Sequence, residues 1–213
     1  MELVTGQSVY YSNKSHLPVE DVAESLLALK AMIEATPDVL ERLQPGLHIQ
    51  KVNVFVNEIK AGSLLQDFAI KFIFGSQEKL EGNIQSLRQD FRVELLLANR
   101  TLVGAIIGAL ITGGGLHILN QLKGPEDQKQ ALQTSQNVFI FNGANIAGVE
   151  EEQFRSVIQG TLARNEHLPR QAVKVVRPAK REGETTIMLN QDPQTTIDGR
   201  AIKAMPAMLP DDV

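Results

Sequence analysis

Cysteine is absent from the 213 residues, and that absence removes disulfides, thiolate metal sites, zinc ribbons and cysteine nucleophiles together. A small secreted disulfide scaffold is excluded with them. An excess of one charge is also lacking: Lys and Arg number 21 against 25 Asp and Glu, for a formal net charge of -4. With a pI of about 5.6, that balance argues against a dedicated nucleic-acid coat. Disorder throughout the chain needs low hydrophobicity with high net charge, and 43% hydrophobic against 22% charged residues excludes it. Catalytic signatures are missing as well, with neither a GxSxG elbow nor an HExxH helix in the sequence. The four histidines, His16, His48, His117 and His167, are dispersed and share no metal-binding spacing. The expectation is a non-enzymatic protein without cofactor or metal. The start Met1–Gln7 does not have the cationic, then apolar form of a signal peptide, so a cytoplasmic N-terminal domain is expected.

What is present reads first as a small α/β unit over residues 1–99. Glu2 to Tyr11 has the makings of a strand, closed by Ser12-Asn13-Lys14-Ser15. Pro18 suits a first helical turn, Glu20 and Asp21 complement the helix dipole, and Val22, Leu26, Leu29 and Ile33 recur at helical spacing. Thr36-Pro37-Asp38 is expected to end that helix and start a shorter one, because Pro cannot continue the hydrogen-bond ladder. Val52, Val54 and Val56 then alternate with Asn53, Phe55 and Asn57, the period of a strand. After the turn signal Lys60-Ala61-Gly62-Ser63, a second strand covers Leu65 to Phe74, with Phe68, Ile70, Phe72 and Phe74 on one face. Leu80, Ile84, Leu87 and Phe91 mark a following amphipathic helix. The class is α+β, with a β-α-β-β-α N-terminal order.

Residues 124–213 read as a smaller mixed α/β unit after the polar interval Lys123 to Asp127. Asn137 to Phe141 is predicted as a strand, Gly143 to Gly148 as a loop, and Glu150 onward as a helix carrying Phe154, Val157, Ile158 and Leu162. Another short helix opens at His167-Leu168-Pro169 and is expected to end at Pro178. Thr185 to Leu189 suits one more strand, and the remainder a short helix and a frayed tail. The Gly143–Gly148 spacing matches neither the dinucleotide fingerprint nor the P-loop, since Val149 and Glu150 stand where a P-loop needs Lys and Ser or Thr.

Between the two lies the unusual stretch, residues 100–123. From Thr101 to Leu122 no residue is formally charged, and about 22 residues make about 33 Å of helix, the thickness of a bilayer core. The chain's mean hydropathy of -0.10 hides this segment. Gly104, Gly108 and Thr112 lie four apart with Ala105 and Ala109 in the adjacent row, a glycine-zipper pattern that permits close helix-helix approach. Gly113-Gly114-Gly115 is predicted as a hinge, giving either one helix or a helical hairpin. Two settings fit: a transmembrane or membrane-embedded helix that self-associates through its small-residue face, or a helix buried in the core of a soluble protein. His117, alone among the histidines in this segment, suits an interfacial or cavity-facing position.

Arg170, Lys174, Arg177 and Arg181 fall near one helical face if Pro178 does not interrupt it. Such a face suits anionic lipid headgroups or a phosphate backbone, or simply water, because no aromatic residue is interleaved for base stacking.

The run Glu58-Ile59-Lys60-Ala61-Gly62-Ser63-Leu64-Leu65-Gln66-Asp67-Phe68, followed by the glycine-rich segment, resembles uncharacterised bacterial proteins with a small cytoplasmic domain and one hydrophobic segment. The resemblance covers mainly the first 120 residues and brings no activity. Some small bacterial proteins of that layout are accessory or effector components of phage-defence systems, which makes antiviral defence an expectation by analogy only. Two functional readings stand. One is a self-associating scaffold or effector at the inner membrane, its N-terminal domain cytoplasmic, a homo-oligomer with a possible protein partner encoded nearby. The other is a soluble cytoplasmic protein- or nucleic-acid-binding module whose central helix packs in its own core or against a partner.

Overall fold

The computed structural model describes residues 2–45, 47–60, 64–74, 98–181, 185–207 and 209. The chain is α+β. In order, its elements are β1 (Glu2–Tyr11), α1 (Val19–Leu43), β2 (Ile49–Lys60), β3 (Leu65–Phe74), α2 (Arg100–Gln121), α3 (Glu126–Ala147), α4 (Glu151–Arg164), α5 (His167–Lys180), β4 (Ile187–Leu189), a 3-10 turn (Pro193–Thr195), β5 (Thr196–Ile197) and α6 (Gly199–Ala204). The expected helix around residues 80–97 and the Ala61-Gly62-Ser63 turn lie outside the described residues.

The five strands form one sheet in the order β2-β3-β1-β4-β5, and every pairing is antiparallel. Phe68, Ile70 and Phe72 of β3 point to the same face as Val9 and Tyr11 of β1, and all five are buried. Alternation of this kind leaves one face for a core and one for water. The helices cover the inner face: Gln66 of β3 is buried and its Nε2 donates to Ser25 Oγ of α1 at 2.8 Å. Because β4 pairs with β1, strands from before and after the apolar helix share one sheet and one continuous hydrophobic core.

Three helices differ from expectation, each for a packing reason. α1 runs unbroken through Pro37; the Thr36 hydroxyl donates to Ile33 O at 2.7 Å, and buried Val39, Leu40 and Leu43 carry the helix past the lost bond. Asn137–Phe141 is not a strand but the middle of α3, because Leu132, Gln136, Phe139, Ile140, Gly143, Ala144 and Ala147 form one buried stripe at helical spacing. Five residues read alone hide that period. The Gly143–Gly148 stretch is accordingly the end of α3, stopped by Gly148 at φ 67 in the left-handed region. α5 likewise continues past Pro178 to Lys180.

Candidate functional site

α2 organises everything around it. Asn99 starts the helix by accepting the Leu102 N–H at 3.1 Å, the usual role of an N-cap amide. Residues Leu102 through Gly115 are all buried, and 89% of the most apolar 18-residue stretch lies inside the protein. The helix touches α1, α3, α4, α5 and β1. Burying Leu102, Val103, Ile106, Ile107, Leu110 and Ile111 at about 1.5–3 kcal/mol each amounts to roughly 9–18 kcal/mol, at least as large as the net stability of an ordinary domain.

The small residues that suggest an intermolecular contact face are occupied by the chain's own side chains. At Gly108 an added Cβ would overlap the Phe139 ring of α3, and at Gly104 it would lie 3.1 Å from the Asn190 amide nitrogen. Ala105 and Ala109 are fully buried, and Thr112 donates its hydroxyl to Gly108 O at 2.8 Å. Gly113-Gly114-Gly115 forms no hinge; the helix is continuous there. Each of the three accepts a neighbour instead: Gln136 against Gly113, Ala172 and Pro169 against Gly114, Met205 against Gly115. Three glycines in a row on a helix thus serve three different partner elements. His117 is exposed, with Nε2 3.1 Å from the Gln121 amide nitrogen.

Sequence reasoning missed the polar clamp at the N-terminus of α2. Asn190, held at φ 58, donates through Nδ2 to Gln7 Oε1 (2.6 Å) and Arg100 O (2.7 Å), and accepts from the Ser8 N–H at 3.0 Å. Beside it the Thr101 hydroxyl donates to Asp192 Oδ2 at 2.9 Å. Asn, Asp and Pro are turn-forming residues, so the run Asn190-Gln191-Asp192-Pro193 is the signal that could have pointed to a turn here. Its long-range partners carry no such signal.

The basic strip lies on one face of α5, and two of its four members are paired with acids of α1. Arg177 bonds to Glu24 and Arg181 to the buried carboxylate of Asp21. The hydrogen bond and charge of Asp21 raise the Arg181 pKa further above its ordinary value. Lys174 is half-buried on the same face, as is Arg170, which has an interaction of its own. Neighbouring Lys180 bonds to Met205 O, and burial lowers its pKa. The strip therefore stitches α5 to α1, with a hollow of about 320 Å³ between Asp21, Arg181 and Pro206. Deeper in the same interface, Tyr11 donates to Val175 O at 3.0 Å and Asn13 to Pro178 O at 2.9 Å; burial pushes the Tyr11 hydroxyl well above its usual range.

A second staple joins α1 to α4. Asp38 accepts from Thr161 Oγ1 (2.6 Å), Arg164 (2.7 Å) and Arg42 (3.0 Å). Partial burial raises its carboxyl pKa, but those three hydrogen bonds and the Arg164 charge outweigh it and leave the pKa below its ordinary value. Among the described residues, no three His, Asp or Glu side chains converge as a metal site.

Comparison with protein-family models, with curated proteins and with solved structures finds no match to this chain.

Proposed function

We propose that this protein is a non-enzymatic, soluble intracellular binding module whose apolar central helix is the core of its own fold. One observation carries the reading: the Gly104-Gly108-Thr112 face and the Gly113–Gly115 run of α2 are filled by Phe139, Asn190, Gln136, Ala172 and Met205 of the same chain. Close packing is what such glycines need in any solvent, since each costs about 1 kcal/mol relative to Ala in a helix interior. Here that need is met intramolecularly. The buried polar groups fit the reading too, because Tyr11, Asn13 and Gln66 bond to protein groups across element boundaries. Among the described residues, the edge strand β2 offers exposed apolar side chains for binding, Phe55, Val56 and Ile59.

The membrane reading, a self-associating scaffold or effector, is favoured by length and composition: α2 is the one described helix long and apolar enough to cross a bilayer. Lipid contact would require α2 to leave its close packing against Phe139, Gln136, Ala172 and Met205 and would expose to water the apolar faces of the elements around it, so insertion would amount to unfolding the remainder. Fractionation without detergent separates the two. The full-length protein is expected in the soluble fraction with a cooperative unfolding transition; recovery only from membranes, in detergent, would overturn the reading.

A further inference from the structure

We infer that the exposed edge of β2 is a contact site for a second copy of this chain, paired antiparallel about a two-fold axis near Val54. The inference rests on the reading of the protein as a soluble binding module. Among the described residues the sheet has two edges of different character. β5 is two residues long, whereas β2 spans twelve, Ile49–Lys60, without Pro or Gly. An edge strand presents unpaired N–H and C=O groups along its free side, and a long apolar one is a template for another strand. Three of the exposed side chains of β2 are large and apolar, and lie among charged and amide ones: Phe55, Val56 and Ile59 are 53%, 52% and 48% accessible. In β2, Val52, Val54 and Val56 share the inner face with Phe72, Ile70 and Phe68 of β3, and Lys51, Asn53 and Phe55 share the outer face.

The strand is complementary to itself. A two-fold axis perpendicular to the sheet keeps inner residues opposite inner and outer opposite outer. Centred on Val54, it sets Val52 against Val56 and Asn53 against Phe55 of the other copy. Beyond these, Lys51 of each copy meets the Asn57–Glu58 bulge of the other, so opposite charges face each other at both ends. Lys51 and Glu58 are exposed. Glu58 already holds Lys60 at 3.0 Å, both about half exposed, which leaves carboxylate lone pairs for a second cation. Centring on Phe55 instead does less well, because it brings Lys51 toward Lys60 of the other copy. The result is one continuous ten-stranded sheet, with Val56 and Phe55 each given a cross-strand neighbour, Val52 and Asn53 of the other copy.

Light scattering on the full chain, without detergent, from about 1 to 100 µM spans the weak to moderate affinities a single strand pair gives. Wild type is expected to approach twice the chain mass of 23.4 kDa. Lys51→Glu and Glu58→Lys each place like charges opposite each other twice per dimer, and each is expected to weaken association about ten-fold or more. An equimolar mixture of the two single variants restores complementarity at both ends and is expected to form a heterodimer of near wild-type affinity. So is the double variant with itself. Both positions are exposed, and unchanged far-UV circular dichroism checks the fold. A single-chain mass for detergent-free wild type across the range overturns the β2 contact alone. So does a dimer indifferent to both reversals. Protein recovered only in detergent overturns the contact together with the reading beneath it.

Discussion

Two stretches of this chain are apolar, regular and poor in charge over part of their length, and they end in opposite places. α2 has the composition of a surface that seeks another helix, yet it is buried from Leu102 to Gly115 among the chain's own elements. β2 reads as an ordinary strand, yet it lies at the sheet edge with Phe55, Val56 and Ile59 about half exposed. Composition states that a segment needs contacts. Whether these come from the same chain or another is decided by topology, because an edge position leaves one side of a strand open and a central helix has no open side.

The comparison is sharpest at Gly108. Replacing it with Leu drives a side chain into the Phe139 ring, and overpacking a closed core site is expected to cost about 3 kcal/mol or more. The outcome is loss of the folded monomer, seen as a fall in the urea midpoint. A helix face used only between copies would give a stable monomer instead, so a Gly108→Leu chain that stays folded while changing its association would break the comparison.

Next in size is Asn190→Ala, which removes the clamp on Gln7, Ser8 and Arg100 and puts a Cβ-bearing residue without a compensating amide at φ 58. A loss of about 2–3 kcal/mol is expected in chemical denaturation. Asn190→Gly, which keeps the backbone conformation, should recover only the backbone part of it.

Asp38→Asn tests the staple between α1 and α4. The folded-state pKa is depressed, so the carboxylate stabilises the protein above its ordinary pKa, and that contribution is lost as pH falls through the folded value. Asp38 is 44% exposed, and solvent screening holds the effect to about 0.5 kcal/mol. The stability difference between wild type and variant is expected at neutral pH, should begin to shrink below pH about 4 and should vanish below the depressed folded value; a difference independent of pH would assign the effect to packing.

Smallest on stability are Lys51→Glu and Glu58→Lys, expected within about 0.5 kcal/mol of wild type because both side chains are exposed. Their effect belongs to association, and a large change in melting temperature at a concentration too low for pairing would refute that separation.

Much of the fold was legible where period and burial agree. The alternation in Leu65–Phe74 matches the buried set Phe68, Ile70 and Phe72, and Ile187–Leu189 lies within the expected strand. Local breaker chemistry misled where tertiary packing overrides it: Pro37, Pro178 and Gly113–Gly115 all sit inside continuous helices. The site was legible in part. Gly104, Gly108 and Thr112 do mark a close-packed face, but the identity of its partner depends on residues 30 to 90 positions away, such as Phe139 and Asn190. No short-range pattern encodes those. Arg177 and Arg181 likewise look like a basic surface until Glu24 and Asp21 are brought beside them.

Hydrogen exchange by mass spectrometry on detergent-free, full-length protein tests the central claim most directly. Peptides covering Leu102–Gly115 are expected to exchange only through global unfolding, at a rate independent of protein concentration. Peptides from Ile49–Lys60 should exchange faster at low concentration and gain protection as it rises. Rapid exchange along α2 in water, with the rest of the fold intact, would contradict the account.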